Sequence, residues 1–247
     1  PYKQKKKTRA SVAIAKGLQP LADIMYAQDV KEGTVEELAK PYVDEEKGVK
    51  NEKEAIQGAM DIIAEMVSDD AELRKKLRNI FLKLATISTK FVKGKDEEEG
   101  ASTYEMYKDY SEPVSEIKSH RVLAINRGED EGFLKVKVEI DEEFAVRVCS
   151  VGKVKEGSVT TQNVKDAIAD SYDRLIAPSI EREIRNYLTD NADEQAIKMF
   201  GVNLKPLLMQ PPLKDKVTMG FDPGIRTGCK IAVVDETGKV LGKDVVY

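Results

Sequence analysis

Cysteine, histidine and long apolar runs are all scarce in this sequence. Two of its 247 residues are cysteine, Cys149 and Cys229, far apart and outside any C-x-x-C spacing. That excludes a disulfide framework and a cysteine zinc site, and it points to a reducing, cytoplasmic setting. The lone histidine, His120, excludes a multi-histidine metal centre. No apolar run approaches the roughly 20 residues of a membrane-spanning helix, so no membrane is expected as a partner. Charge, by contrast, is abundant. Asp, Glu, Lys and Arg make up 34% of the chain, against about 25% in an average domain, and the mean hydropathy is −0.44.

The length suits one large domain or two small ones with a real core. The net charge of −4 conceals an uneven distribution: residues 1–95 carry +4, residues 96–143 carry −9 and residues 144–247 carry +1. Such asymmetry implies distinct surfaces, one of them open to polyanions, although ordinary solvated helix faces would read the same way. The first residues, Pro1-Tyr2-Lys3, and the last, Val245-Val246-Tyr247, look like cuts through a longer protein.

Helical signals dominate the first part. A basic opening (Lys3, Lys5, Lys6, Lys7, Arg9) leads into a helix over 10–16, with Gly17 as its stop and Pro20 just inside the next start. Thr34 and Glu37 have capping-box spacing for a short helix ending near Pro41. Ala55, Ile56, Ala59, Met60, Ile63, Met66 and Val67 recur at threes and fours. After Ser68-Asp69-Asp70, with Asp69 read as N-cap and Glu72 as its partner, Leu73, Leu77, Ile80, Phe81, Leu84, Ile87 and Phe91 continue in the same rhythm. Two helices joined by so short a turn form an αα-hairpin, a candidate helix-turn-helix.

Beyond the acidic loop 96–100, the spacing of Val122, Ala124, Phe133, Leu134, Val136, Val138 and Ile140 predicts a β-hairpin around Arg127–Gly132. Helices resume near Thr161. Pro178 is expected to interrupt them, with Ser179 capping anew, and Gln210-Pro211-Pro212 to end them. Val217–Asp222, Cys229–Asp235 and Val240–Tyr247 then read as three strands with turns between.

Three constellations carry possible chemistry. Gly220-Phe221-Asp222-Pro223-Gly224, followed by the apolar Cys229–Asp235, places an acid at the end of a first strand, as the ribonuclease-H-like superfold begins. There such an acid can join a Mg²⁺ pair that clamps a phosphodiester; sugar-kinase and actin-like ATPases open similarly. One carboxylate is not an active site, and a plain Asp-Pro-Gly turn fits as well. The second constellation is basic: Arg74, Lys75, Lys76, Arg78, Lys83, Lys90, Lys93 and Lys95 occur with no acid between Leu73 and Lys95. These would make a positive ridge for phosphates, or else a solvated face. Third, Tyr104, Tyr107 and Tyr110 recur every three residues, which favours a packed edge over a stacking platform. His120, read at a strand entrance, is more simply structural than part of a triad.

Several runs resemble the bacterial Tex transcription accessory proteins. They are Tyr110-Ser111-Glu112-Pro113-Val114, Ser119-His120-Arg121-Val122-Leu123-Ala124, Asn126-Arg127-Gly128-Glu129 and Glu131-Gly132, then the run from Arg174 to Arg185, Gln210-Pro211-Pro212-Leu213 and Gly220–Gly224. The resemblance implies a cytoplasmic RNA- and DNA-binding protein tied to transcription. In that family a helical region with a helix-turn-helix precedes a ribonuclease-H-like (YqgF) domain, helix-hairpin-helix modules and an S1 domain. It carries Asp222 over as the matching acid, not as a proven catalyst.

The expected fold is therefore mainly α, α+β overall. A helical region spans 1–100 with a helix-turn-helix at about 52–93, a loop and β-hairpin subdomain spans 101–158, and a helical segment spans 159–213. The first strands of a truncated YqgF domain occupy 214–247. The expected role is a scaffold and nucleic-acid-facing platform, with Arg74, Lys75, Arg78 and Lys83 contacting RNA or DNA weakly and without sequence preference. Transcription machinery is a further candidate partner, and no cofactor, metal or catalytic residue is assigned. The rivals are a Mg²⁺-dependent nuclease or resolvase using Asp222, and a scaffold whose ridge binds an acidic protein.

Overall fold

A computed structural model describes residues 7–95, 97–211, 213–224 and 226–247. Lys3, Lys5 and Lys6 of the basic opening, the first acid of the 96–100 loop, and Pro212 and Ile225 of the two Pro/Gly motifs lie outside them. The chain divides into two units, residues up to 194 and residues from 195.

In the first unit, local signals set the early helices. These are α1 (Arg9–Ala15), α2 (Gln19–Ala27), α3 (Val35–Ala39) and α4 (Glu52–Ser68). Gly17 follows α1 at φ +87°, the left-handed conformation that a helix stop of this kind requires. Pro20 lies in the first turn of α2, and both reciprocal bonds of the Thr34–Glu37 capping box form. Helix α4 buries Ala55, Ile56, Ala59, Ile62, Ile63 and Val67. Around it pack α1, α2, α3 and, from later in the chain, α8 (Thr161–Ser171).

Helix α5 (Ala71–Leu84) departs from expectation at both ends. Its N-cap is Asp70, not Asp69: one Asp70 oxygen accepts the N–H groups of Glu72 (3.1 Å) and Leu73 (3.0 Å). At the other end Ile87 and Phe91 do not extend the helical stripe; they belong to β1 (Thr86–Phe91). Positions 87, 89 and 91 satisfy a period of two as well as the helical rhythm, and the β-branched Thr86, Ile87 and Thr89 favour the strand.

The predicted β-hairpin is absent. Ser119–Asp130 forms helix α6, and only the second half becomes a strand, β3 (Leu134–Glu139). That strand pairs antiparallel with β1, whose other edge carries β2 (Asp109–Pro113), giving the order β2-β1-β3. Val122, Ile125 and Gly128 line the buried side of α6 at helical spacing. Gly128 is a packing glycine: a Cβ there would lie 2.6 Å from Leu134 Cδ1 and 3.0 Å from Tyr104 Cδ1. Gly132, at φ +77°, makes the turn into β3. Tyr104 and Tyr107 share a 3₁₀ segment, whose three residues per turn put both rings on one buried face. Tyr110 sits in β2.

After α7 (Glu142–Ser150) and α8, a single wide turn (Tyr172–Ile176) leads straight into α9 (Ala177–Leu208). Pro178 therefore interrupts nothing. In the turn before it the Ala177 N–H reaches the Tyr172 carbonyl, five residues back, and such an expanded turn relieves the clash between a proline ring and the ladder. The helix runs on without interruption, and Pro206 lies within it. One hydrophobic core runs from Ala10 to Ile184, so stretches read separately as 1–100, 101–158 and the start of 159–213 pack together.

The second unit contains α9 from Gln195 onward and the expected meander of β4 (Thr218–Asp222), β5 (Cys229–Val234) and β6 (Val240–Val246), ordered β4-β5-β6. Phe200, Leu207, Met219, Phe221 and Leu241 are exposed there. No helix among the described residues is long and apolar enough to cross a membrane.

Candidate nucleic-acid interface

Helix α5 buries Leu73, Leu77 and Phe81, one residue per turn. The remaining faces carry its cations, and the structure separates these into two groups. Lys75, Lys76 and Lys83 are exposed. Arg74 and Arg78, one turn apart, converge instead on Glu183 of α9. Arg74 Nη2 donates to Glu183 Oε1 (2.8 Å) and to Ser179 Oγ (2.5 Å), while its Nη1 donates to the Ser68 carbonyl (3.3 Å). Arg78 donates through Nε (2.8 Å) and Nη2 (2.5 Å) to Glu183 Oε2. Of the four residues expected to face phosphates, Arg74 and Arg78 thus anchor α5 to α9, and Lys75 and Lys83 face solvent. Ser179 joins this anchor rather than starting a helix. Sequence reasoning missed Glu183 because it lies more than a hundred positions away; the paired arginines at i and i+4 were the available signal.

Burial pushes the Glu183 carboxyl up, but the hydrogen bonds from Arg78 and Arg74 outweigh it and hold the group below the usual carboxylate range. Helix α9 is pinned on another side by Arg185, which donates to Glu129 (3.0 and 2.5 Å) and Asn126 (3.1 Å) of α6. Asn126 in turn donates to Thr189 (2.8 Å). Between α5 and α9 opens a cleft of about 360 Å³, lined by Arg78, Leu82, Glu183, Ile184, Asn186, Tyr187 and Asp190.

The other singled-out residues fall elsewhere. His120 is exposed in the first turn of α6, not at a strand entrance. Its neighbour Arg121 donates to Glu112 (2.6 Å) and to the Tyr110 hydroxyl (3.2 Å), which itself donates to Glu112. Burial and then the Glu112 bond push the Tyr110 hydroxyl up to about 12. This cluster ties β2 to α6. Asp222 ends β4 opposite Lys230 and is exposed. No group of three or more His, Cys, Asp or Glu among the described residues is placed to hold a metal ion.

Comparison with known proteins identifies two family regions. The family described as Tex central region-like matches residues 31–200, and the Tex protein YqgF-like domain matches residues 216–247. The protein YdcI of Bacillus subtilis is 47% identical over the whole chain. The transcriptional accessory protein Tex of Neisseria gonorrhoeae is 38% identical, again over the whole chain. The human S1 RNA-binding domain-containing protein 1 is 34% identical over 81% of the chain. The chain spans about a third of the two bacterial relatives (34% and 33%) and 21% of the human one. With the central region of the family accounting for most of its first unit, the chain belongs to the Tex family.

Proposed function

We propose that this chain is the scaffold and nucleic-acid-facing platform of a cytoplasmic transcription accessory protein, contacting RNA or DNA weakly and without sequence preference. The observation that carries this reading is the outer face of α5, where Lys75, Lys76 and Lys83 project in a run free of acids from Leu73 to Lys95. The Arg74–Glu183–Arg78 anchor ties α5 to α9, so the helix that carries the lysines is already positioned when they meet a phosphate backbone. The names of the gonococcal and human relatives, a transcriptional accessory protein and an S1 RNA-binding domain-containing protein, support the same direction. Each neutralised phosphate releases counterions, giving a slope of log K against log[salt] of about −0.9 per duplex contact and about −0.7 per single-strand contact.

The test is fluorescence anisotropy with a labelled oligonucleotide across a salt series. Lys75→Glu with Lys83→Glu should weaken binding and flatten the slope by about one to two units. Circular dichroism should stay unchanged, since both side chains are exposed. Unaltered affinity and slope with an intact fold would return the face to solvent or to an acidic protein partner. No catalytic role is assigned to Asp222 here. Mg²⁺-dependent cleavage by this chain that disappears in Asp222→Asn would establish the nuclease reading instead.

A further inference from the structure

We infer that the cleft between α5 and α9 is a nucleobase subsite, taking one unstacked base of a single-stranded nucleic acid against the ring of Tyr187. The inference rests on the nucleic-acid reading above and assigns to it a specific site and strand type. Tyr187 is 52% exposed, and among the described residues of the first unit it is the only exposed phenylalanine or tyrosine. Nothing in the packing of α9 requires a ring there. Its neighbour Ile184, three residues earlier, already fills the core side of the same turn at 1% exposure.

Every part of the cleft matches a part of a nucleotide. Leu82 gives it an apolar wall, and Tyr187 supplies a flat one. A base stacked on an aromatic ring contributes enough to matter in any sequence, because every base has a π-face. Arg78 lines the same cleft. Its Nε and Nη2 are held by Glu183, which fixes the guanidinium plane and leaves Nη1 for a phosphate oxygen. Glu183 is the acid that would otherwise repel a phosphate, and two guanidiniums already neutralise it. Lys75 lies three residues before Arg78, the spacing of neighbours on one helix face, where it can take the next phosphate.

Asn186, next to Tyr187 in sequence, and Asp190, three residues after it, line the same cleft and offer polar groups to the edge of a base lying on Tyr187. A carboxylate accepts from an exocyclic amine, so adenine and cytosine fit this edge and uracil, which lacks that amine, fits less well. A stacked duplex cannot present a base to a cleft set between two helices. The occupant is therefore single-stranded.

The experiment compares the unaltered chain with Tyr187→Ala, Tyr187→Phe and Asp190→Asn, using labelled oligoadenylate, oligouridylate and an abasic oligomer of the same length. Tyr187→Ala should weaken oligoadenylate binding roughly 5- to 150-fold, the range for loss of one stacked base. Tyr187→Phe should retain it, because stacking uses the ring and not the hydroxyl. Abasic binding should be the same in the unaltered chain and the two Tyr187 variants. Asp190→Asn should narrow the preference for oligoadenylate over oligouridylate. Equal losses on the abasic and adenylate probes, or unchanged adenylate binding in Tyr187→Ala, would overturn the subsite. If Lys75→Glu with Lys83→Glu still weakens binding in that case, the platform reading stands without it. If the unaltered chain binds no oligonucleotide even at low salt, both readings fall. Because Tyr187 is more than half exposed, thermal melting of each variant should match the parent and exclude misfolding as the cause.

Discussion

Glu183→Gln is a near-isosteric change that removes one charge from the contact between α5 and α9. Three N–H groups from two guanidiniums meet this carboxylate at 2.5–2.8 Å. Hydrogen bonds to charged groups contribute about 1.5–3 kcal/mol when shielded, but exposed pairs contribute only about 0.2–1 kcal/mol. Glu183 is 32% exposed, Arg74 25% and Arg78 46%. The Arg78 arm therefore counts at the exposed value and the Arg74 arm somewhat above it. The expected loss is about 1–2 kcal/mol, or about 2–8 °C in Tm for a unit of this size. The effect has a pH signature. The folded-state carboxyl titrates below its ordinary 4.5, so its contribution is complete above that value and disappears as pH falls through the lower folded pKa. Urea denaturation followed by circular dichroism, repeated from neutral to acidic pH, should show the gap between parent and variant closing below pH 4.5. Arg74→Ala should cost less in the Glu183→Gln background than in the parent. A neutral-pH loss below about 0.3 kcal/mol, or a gap that stays constant with pH, would refute the anchor.

Two further outcomes follow from packing. Gly128→Ala should destabilise by about 1–3 kcal/mol through overpacking against Leu134 and Tyr104, whereas an unobstructed helical glycine would gain about 0.5–1 kcal/mol from the same change; the sign alone, read from chemical denaturation, decides between them. Deleting residues 217–247 should leave the melting of the helical signal unchanged, since the main core draws only on residues up to Ile184, and should reduce self-association by removing exposed strand edges. A large drop in melting temperature would make the meander part of that core.

Features governed by a few neighbouring residues were legible in the sequence alone. The Thr34–Glu37 box, the left-handed stop at Gly17, Pro20 in a first turn and the three-strand meander each depend on chemistry within a turn or two, and each forms as its spacing indicates. The Tex resemblance was likewise carried by short ordered runs. Where a stretch is short and its period ambiguous, the local signal ran out. Val122 and Ala124 suited a strand until Val122, Ile125 and Gly128 became the buried side of a helix, with Gly128 against Leu134 and Tyr104; Ile87 and Phe91 suited a helix until β3 and β2 offered hydrogen-bonding edges. The candidate site was decided at longer range still. Four basic residues of α5 were equivalent as sequence, yet Glu183 takes Arg74 and Arg78 and leaves Lys75 and Lys83 outward. Charge is a property of a residue, but its availability depends on which opposite charge the fold brings within hydrogen-bonding distance, and that is set by how α9 packs rather than by anything written near α5.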